Sequence, residues 1–254
     1  MKKMITILAV AMLLWGASAS ADTLDFLKPF WMQMMDGVSN TASGKIPENV
    51  TVTCTDERLT VEACGVLLEN DYSAEAHVYA VLKNTGSERL PIRSVQMTVL
   101  GANGNTLHQE DYVSYMPSVV EPGETMLVSE WMYDFVKEIG KVDSIQISVE
   151  TASRAYEKWK QLGDVRAWLD GDYLCVEFTN TTEKTLFGVI CAATVSDANG
   201  QILDMMMQSP YDTDDLGIAQ GSSIVWRKRL EDAATLKIGT DAVCKAWAYW
   251  MEDL

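Results

Sequence analysis

Asn84 and Asn180 each close an alternating apolar run, and the stretches around them match at a spacing of 96 positions. The first run spans His77–Thr85 and the second Leu174–Thr181. The same spacing sets Gly101-Ala102-Asn103-Gly104-Asn105 over Asp197-Ala198-Asn199-Gly200-Gln201. A spacing of 98 then sets Glu121-Pro122-Gly123-Glu124 over Ala219-Gln220-Gly221-Ser222. Each block ends in another alternating run, Ser144–Val149 and Val243–Trp250. Matched features in one order at nearly constant spacing indicate one supersecondary plan written twice.

Each copy reads as strands. Val95, Met97 and Val99 alternate with Ser94, Gln96 and Thr98, a period of two, and Cys191, Ala193 and Val195 hold the equivalent places. Asn103-Gly104 and Asn199-Gly200 are expected to form two-residue hairpin turns of type I′. Pro122-Gly123 and Asn84-Thr85-Gly86 mark further turns. Short strands with a turn every 8–12 residues predict an all-β chain of two tandem immunoglobulin-like sandwiches. Their expected limits are 48–152 and 163–254, joined by a linker over 153–162. Ahead of them, residues 22–47 are read as a short helical arm and linker, from Leu24, Leu27, Trp31, Met34, Met35 and Val38 at near-helical spacing.

The first 21 residues read as a secretory signal peptide. Lys2 and Lys3 precede an apolar stretch over Met4–Trp15, and Ala19 and Ala21 fit a small-residue cleavage site, with Asp22 as the first mature residue. Ala17 and Ala19 offer a second register. The stretch is too short to span a bilayer, which needs about 20 apolar residues, so no membrane span is expected in the mature chain. The expected location is secreted or at the cell envelope. The chain carries 36 acidic and 20 basic side chains, a formal charge of −16. That excludes the basic footprint of a nucleic-acid binder.

Export makes disulfides possible, and the five cysteines stand at 54, 64, 175, 191 and 244. Cys54 and Cys64 flank a short turn and are expected to bridge two strands of a hairpin. Cys175, Cys191 and Cys244 are odd in number, and the competing reading is that all five are small buried hydrophobes. No zinc spacing is present, and only His77 and His108 are available as imidazole ligands. Neither His accompanies a nucleophile motif, so no catalytic residue is assigned and no cofactor is implied. Asp212, Asp214 and Asp215, with Asp204 upstream, form the one candidate calcium set, against the plainer reading of a solvated acidic loop. Trp247 and Tyr249 share one face of the last strand. Ala246 and Ala248, aligned with Ile145 and Ile147, share the other and are expected to face inward. Trp247 and Tyr249 are therefore the candidate binding residues for a glycan or a protein partner. The alternative is that the linker, through Tyr156 or Trp159, or the first domain covers them.

A strand ending in Asn-Thr, an alternating strand running into Asp-Ala-Asn-Gly, and a turn before the next strand resemble the FxLYD-type immunoglobulin-like repeats of exported bacterial proteins. The eponymous motif is altered here to Met97-Thr98-Val99-Leu100-Gly101 and Ala193-Thr194-Val195-Ser196-Asp197, where only Asp197 keeps the final acidic position. The resemblance implies an exported β-sandwich and carries over no catalytic residues. The function expected is an exported, non-enzymatic binding or structural module. A carbohydrate-binding module, or a secreted hydrolase whose residues converge only in space, is the alternative.

Overall fold

The computed structural model describes residues 50–69, 75–132, 142–154, 158–208, 217–231, 235 and 237–252, which belong to one compact unit within Gly44–Leu254. The signal peptide, the arm, Tyr156 and the loop of Asp212, Asp214 and Asp215 lie outside the described residues. The described part of the chain is all-β and sandwich-like. In the first half come β1 (Thr51–Cys54), β2 (Leu59–Glu69), β3 (Glu75–Asn84), β4 (Leu90–Gly101) and β5 (Thr106–Glu110). They are followed by β6 (Ser114–Met116), β7 (Val119–Val120), β8 (Thr125–Met132) and β9 (Val142–Thr151). The second half holds β10 (Trp159–Gln161), β11 (Val165–Asp170), β12 (Tyr173–Thr179) and β13 (Ile190–Ser196). Then come β14 (Ile202–Gln208), β15 (Ser223–Arg229) and β16 (Val243–Met251). The first half makes sheets β1-β9-β4-β5, with β7 on β4, and β2-β3-β8-β6. The second makes β10-β16-β13-β14 and β11-β12-β15.

The two halves repeat one hydrogen-bond pattern. The buried Asn84 side chain donates to the carbonyls of Glu88 and Val120, and its oxygen accepts from Gly86 N–H. The buried Asn180 donates to the carbonyls of Lys184 and Ile218, and its oxygen accepts from Thr182 N–H. Gly123 N–H bonds to Asn84 O, and Gly221 N–H to Asn180 O. In each half one amide therefore ties a strand end to two loops. A buried carbonyl without such a donor carries a desolvation cost of about 1–3 kcal/mol.

The Asn-Gly turns differ from the expected type I′. Only Gly104 (φ 73°) and Gly200 (φ 83°) are left-handed, whereas type I′ needs positive φ at both central residues. Gly101 N–H reaches Asn105 O, and Asp197 N–H reaches Gln201 O, so each loop has three residues and ends on a left-handed glycine. A one-residue bulge follows on the second strand of each hairpin, at Leu107 and at Leu203, where the register shifts.

β4 keeps its alternation: Val95, Met97 and Val99 are buried while Gln96 is exposed. β13 does not, for Ile190 through Val195 are all buried. The cause lies in the sheet β2-β3-β8-β6, which has two apolar faces. Val78, Ala80 and Leu82 join Met97, Ile145 and Ile147 in one core. Tyr79, Val81 and Leu127 join the second half's Phe178, Ala192 and Tyr249 in the other. A strand covered on both sides reads as a continuous apolar run rather than an alternating one.

The pairing of the last strands corrects the alignment by two residues. Met97 faces Ile147 and its counterpart Ala193 faces Ala246, so Ile147 corresponds to Ala246 and Ile145 to Cys244. A shift of two preserves the face, because side chains alternate with period two.

The expected Cys54–Cys64 bridge is absent: all five cysteines are free thiols. β1 does not pair with β2. It runs parallel to β9, with Cys54 opposite Ile147, while β2 pairs with β3 in the other sheet. The intervening turn is held instead by Arg58, whose guanidinium and N–H donate to the Asp56 carboxylate. That bonding holds the Asp56 carboxyl below its usual range. Burial pushes the thiols of Cys54 and Cys64 up and that of Cys191 to about 12.

Two outcomes follow for stability and redox state. Asn180→Ala removes one of the two donors to each of the Lys184 and Ile218 carbonyls and the acceptor of the Thr182 N–H, and urea unfolding should show a loss of about 1–2 kcal/mol. A loss below about 0.5 kcal/mol would make the amide dispensable. Thiol titration of the non-reduced, unfolded chain should count five reactive groups, whereas three would restore the bridge.

Candidate functional site at the junction of the halves

Asp204 on β14 is fully buried. Four donors converge on its carboxylate. Met205 N–H (2.7 Å), the Lys228 ammonium (2.7 Å) and the Tyr79 hydroxyl (3.1 Å) reach Oδ1, and Glu231 N–H (3.2 Å) reaches Oδ2. Lys228 also donates to Met205 O and stands 3.5 Å from the Glu231 carboxylate. Tyr79 comes from β3, so the network joins the two halves. Its hydroxyl lies 3.0 Å from His77 Nδ1. A phenol has one proton, and Tyr79 gives it to the carboxylate, so the imidazole nitrogen donates to the phenol oxygen. The order of donation is His77 to Tyr79 to Asp204. Such a buried pair gives little net stability, but removing one partner is costly because the other charge stays buried.

A cavity of about 460 Å³ opens beside this network. Tyr79, Ser129 and Trp131 line it from the first half, with His77 set against Trp131 at 3.9 Å between ring centres. Met205, Met206 and Met207 of β14 line it from the second, with Arg227 and Lys228 of β15. Ser114 and Glu130 border it, and Ser114 N–H donates to the Glu130 carboxylate. Burial pushes the Glu130 carboxyl up. Further contacts join the halves. Tyr249 hydroxyl donates to Thr125 O (2.8 Å), and Trp159 indole N–H to Ser118 Oγ (2.8 Å). At Gly65 the backbones approach so closely that a Cβ would stand 1.7 Å from Ile202 O.

The residues singled out in the sequence fall in different places. Tyr249 is fully buried and Trp247 half-buried, and both pack in the core that Tyr79, Val81 and Leu127 complete. The cover over Tyr249 is thus the first half. The linker strand β10 pairs edge-on with β16 instead, Trp159 opposite Met251. Asp204 belongs to the buried network, with its oxygens taken by protein donors rather than turned to a loop. Among the described residues no group of three or more His, Cys, Asp or Glu side chains is placed to hold a metal ion. His108 sits half-buried on β5.

Tyr79, Lys228, Trp131 and Gly65 escaped the sequence reading. Only Gly65 leaves a local signal, since glycine inside a strand marks close backbone approach. Lys228 looks like any strand lysine until β15 is placed beside β14.

Gly65→Ala should force β2 away from Ile202. The expected loss is at least about 2 kcal/mol in chemical unfolding, the upper part of the range for overpacking. The indole signal of Trp131 should move as the junction opens. A variant as stable as the parent would show that the contact relaxes freely.

No protein-family model matches this sequence. No curated protein matches it either. Among solved structures, that of red sea bream transglutaminase is similar at 11% identity and a TM-score of 0.23. The alignment covers 69% of this chain and 27% of that one, so this chain spans about a quarter of its length.

Proposed function

We propose that this protein is an exported, non-catalytic binding module of the cell envelope or extracellular space. We further propose that it is built from two duplicated immunoglobulin-like sandwiches of the FxLYD type, with its ligand in the cavity between them. The observation that carries the reading is the state of the polar groups there. Asp204 receives four donors, Tyr79 spends its proton on Asp204, and Lys228 is bound to Asp204 and faces Glu231. A general acid or base must exchange a proton with its substrate through a hydrogen bond. Here Asp204, Tyr79 and Lys228 bond one another, which builds a rigid wall. Rigid, largely preformed walls with a few fixed polar groups are the mark of a binding pocket.

A thermal-shift screen of neutral, acidic, basic and peptide compounds against the full chain tests this. A ligand at 100 times its Kd should add about 2.7 kcal/mol of stability. Amide shifts should cluster at His77, Ser129 and Trp131, and the compound should be recovered unchanged. Catalytic turnover of that compound, or binding that leaves these residues unmoved, would sink the reading.

A further inference from the structure

Asp204 and Lys228 stand on different sheets of the second half, Asp204 on β14 of β10-β16-β13-β14 and Lys228 on β15 of β11-β12-β15. Their side chains meet, with Lys228 Nζ 2.7 Å from Asp204 Oδ1. The Glu231 carboxylate lies 3.5 Å from the same nitrogen. Asp204 is fully buried, and the Lys228 and Glu231 side chains are 29% and 28% exposed. A primary amine, the carboxyl it can acylate and a second carboxyl that can carry a proton between them thus share one partly desolvated place. All five cysteines are free thiols, so no disulfide ties these sheets.

An ammonium and a carboxylate in contact are an amide plus one water. In bulk water the ions win, because hydration stabilises them. Here much of that hydration is removed, and condensation discharges both ions. Well-oriented groups of one molecule also react as if at about 10⁵–10⁸ M. The neighbours of the pair already suit the product, which has one N–H and one C=O. Met205 O, 3.3 Å from Nζ, is placed to accept from the amide N–H. Met205 N–H and the Tyr79 hydroxyl donate to Oδ1 at 2.7 and 3.1 Å, as they would to the amide carbonyl. The same two donors stabilise the charge that builds on Oδ1 when Nζ attacks the carboxyl carbon. Oδ2 is then the oxygen that leaves, and the cavity lined by Lys228 and Glu231 gives the released water an exit.

We propose that Asp204 and Lys228 condense into an intramolecular isopeptide bond that ties the two sheets of the second half together. Glu231 takes one proton from the Lys228 ammonium and passes it to Oδ2, leaving a neutral amine and a neutral acid. Nζ attacks Cγ of Asp204, and a second proton follows the same route as the C–Oδ2 bond breaks. One C–N bond forms, one C–O bond breaks, and Oδ2 departs as water with two protons from the nitrogen. Glu231 ends as it began, and the balance needs no other reactant. The first half holds His108 and Glu130 at the equivalent places, opposite Val99 and Val78 as Asp204 and Lys228 are opposite Val195 and Leu174, so one link forms per chain. The link does not depend on a ligand entering the cavity and stands apart from the binding-module reading.

Intact-mass spectrometry of the purified full chain, unfolded and reduced, tests this. The mass should fall one water short of that calculated for its residues. Proteolytic digestion should then release one branched peptide that joins the segments of Asp204 and Lys228. Lys228→Arg keeps the positive charge but lacks the primary amine. It should restore the full mass and, with the cross-link gone from the unfolded chain, lower the melting temperature. Glu231→Gln removes the proton carrier and should leave most chains at the full mass. A parent chain at full mass overturns the link, whatever the variants do. So does a missing water that maps to another pair of residues, or a Lys228→Arg chain still lighter by one water. Glu231→Gln chains linked as completely as the parent overturn the proton route through Glu231.

Discussion

The sheet β2-β3-β8-β6 must bury both of its faces, and the rest of the architecture follows from that. Val78, Ala80 and Leu82 point into the first core, while Tyr79 and Val81 between them point into the second. Full burial of a leucine- or valine-sized side chain is worth about 1.5–3 kcal/mol. Withdrawing the second half would therefore expose a row of apolar side chains on β3 and β8. The halves are duplicates in plan but not independent in energy. The second core takes Tyr79, Val81, Val119 and Leu127 from the first half.

Burying a strand on both faces asks for small residues where backbones come close. β13 supplies Cys191, Ala192 and Ala193, and β16 supplies Ala246 and Ala248. β2 supplies Gly65, the one residue that admits the Ile202 carbonyl. Bulk is restored by aromatics. Tyr249 fills the space over β13 and satisfies its hydroxyl on Thr125 O, as a buried phenol must. Phe178 and Trp226 stack 5.7 Å apart on the other side.

The strand order within each copy was legible because period-two alternation and paired turn residues are local signals. Val95, Met97 and Val99 announce β4 by themselves, and Asn84 and Asn180 announce each other. Tertiary placement was not legible. Nothing in Cys54-Thr55-Asp56 tells whether the strand before the turn pairs forward with β2 or crosses to β9. The hairpin was therefore the natural expectation, and the parallel pairing with β9 displaced it. The junction is the extreme case. His77, Tyr79, Asp204 and Lys228 span more than half the chain, and no spacing rule links them. Asp204 was noticed only for its company of aspartates, whereas its role comes from Tyr79 and Lys228.

Divergence between the copies is what opens a cavity at their seam. In the first half, Met97, Val99, Ile145 and Ile147 fill the core, and the position equivalent to 204 is His108, opposite Val99. In the second, Asp204 stands on β14 directly opposite Val195 of β13. A buried acid cannot be left bare, so it fixes a cation from β15, a hydroxyl from β3 and two backbone N–H groups around itself. These partners occupy space that apolar side chains would otherwise close by interdigitation. The two halves therefore meet tightly at Gly65 and Tyr249 but stand apart beside Lys228 and Trp131. The partners of the aspartate, Tyr79, Lys228 and Glu231, thus form the polar wall of the opening at the seam.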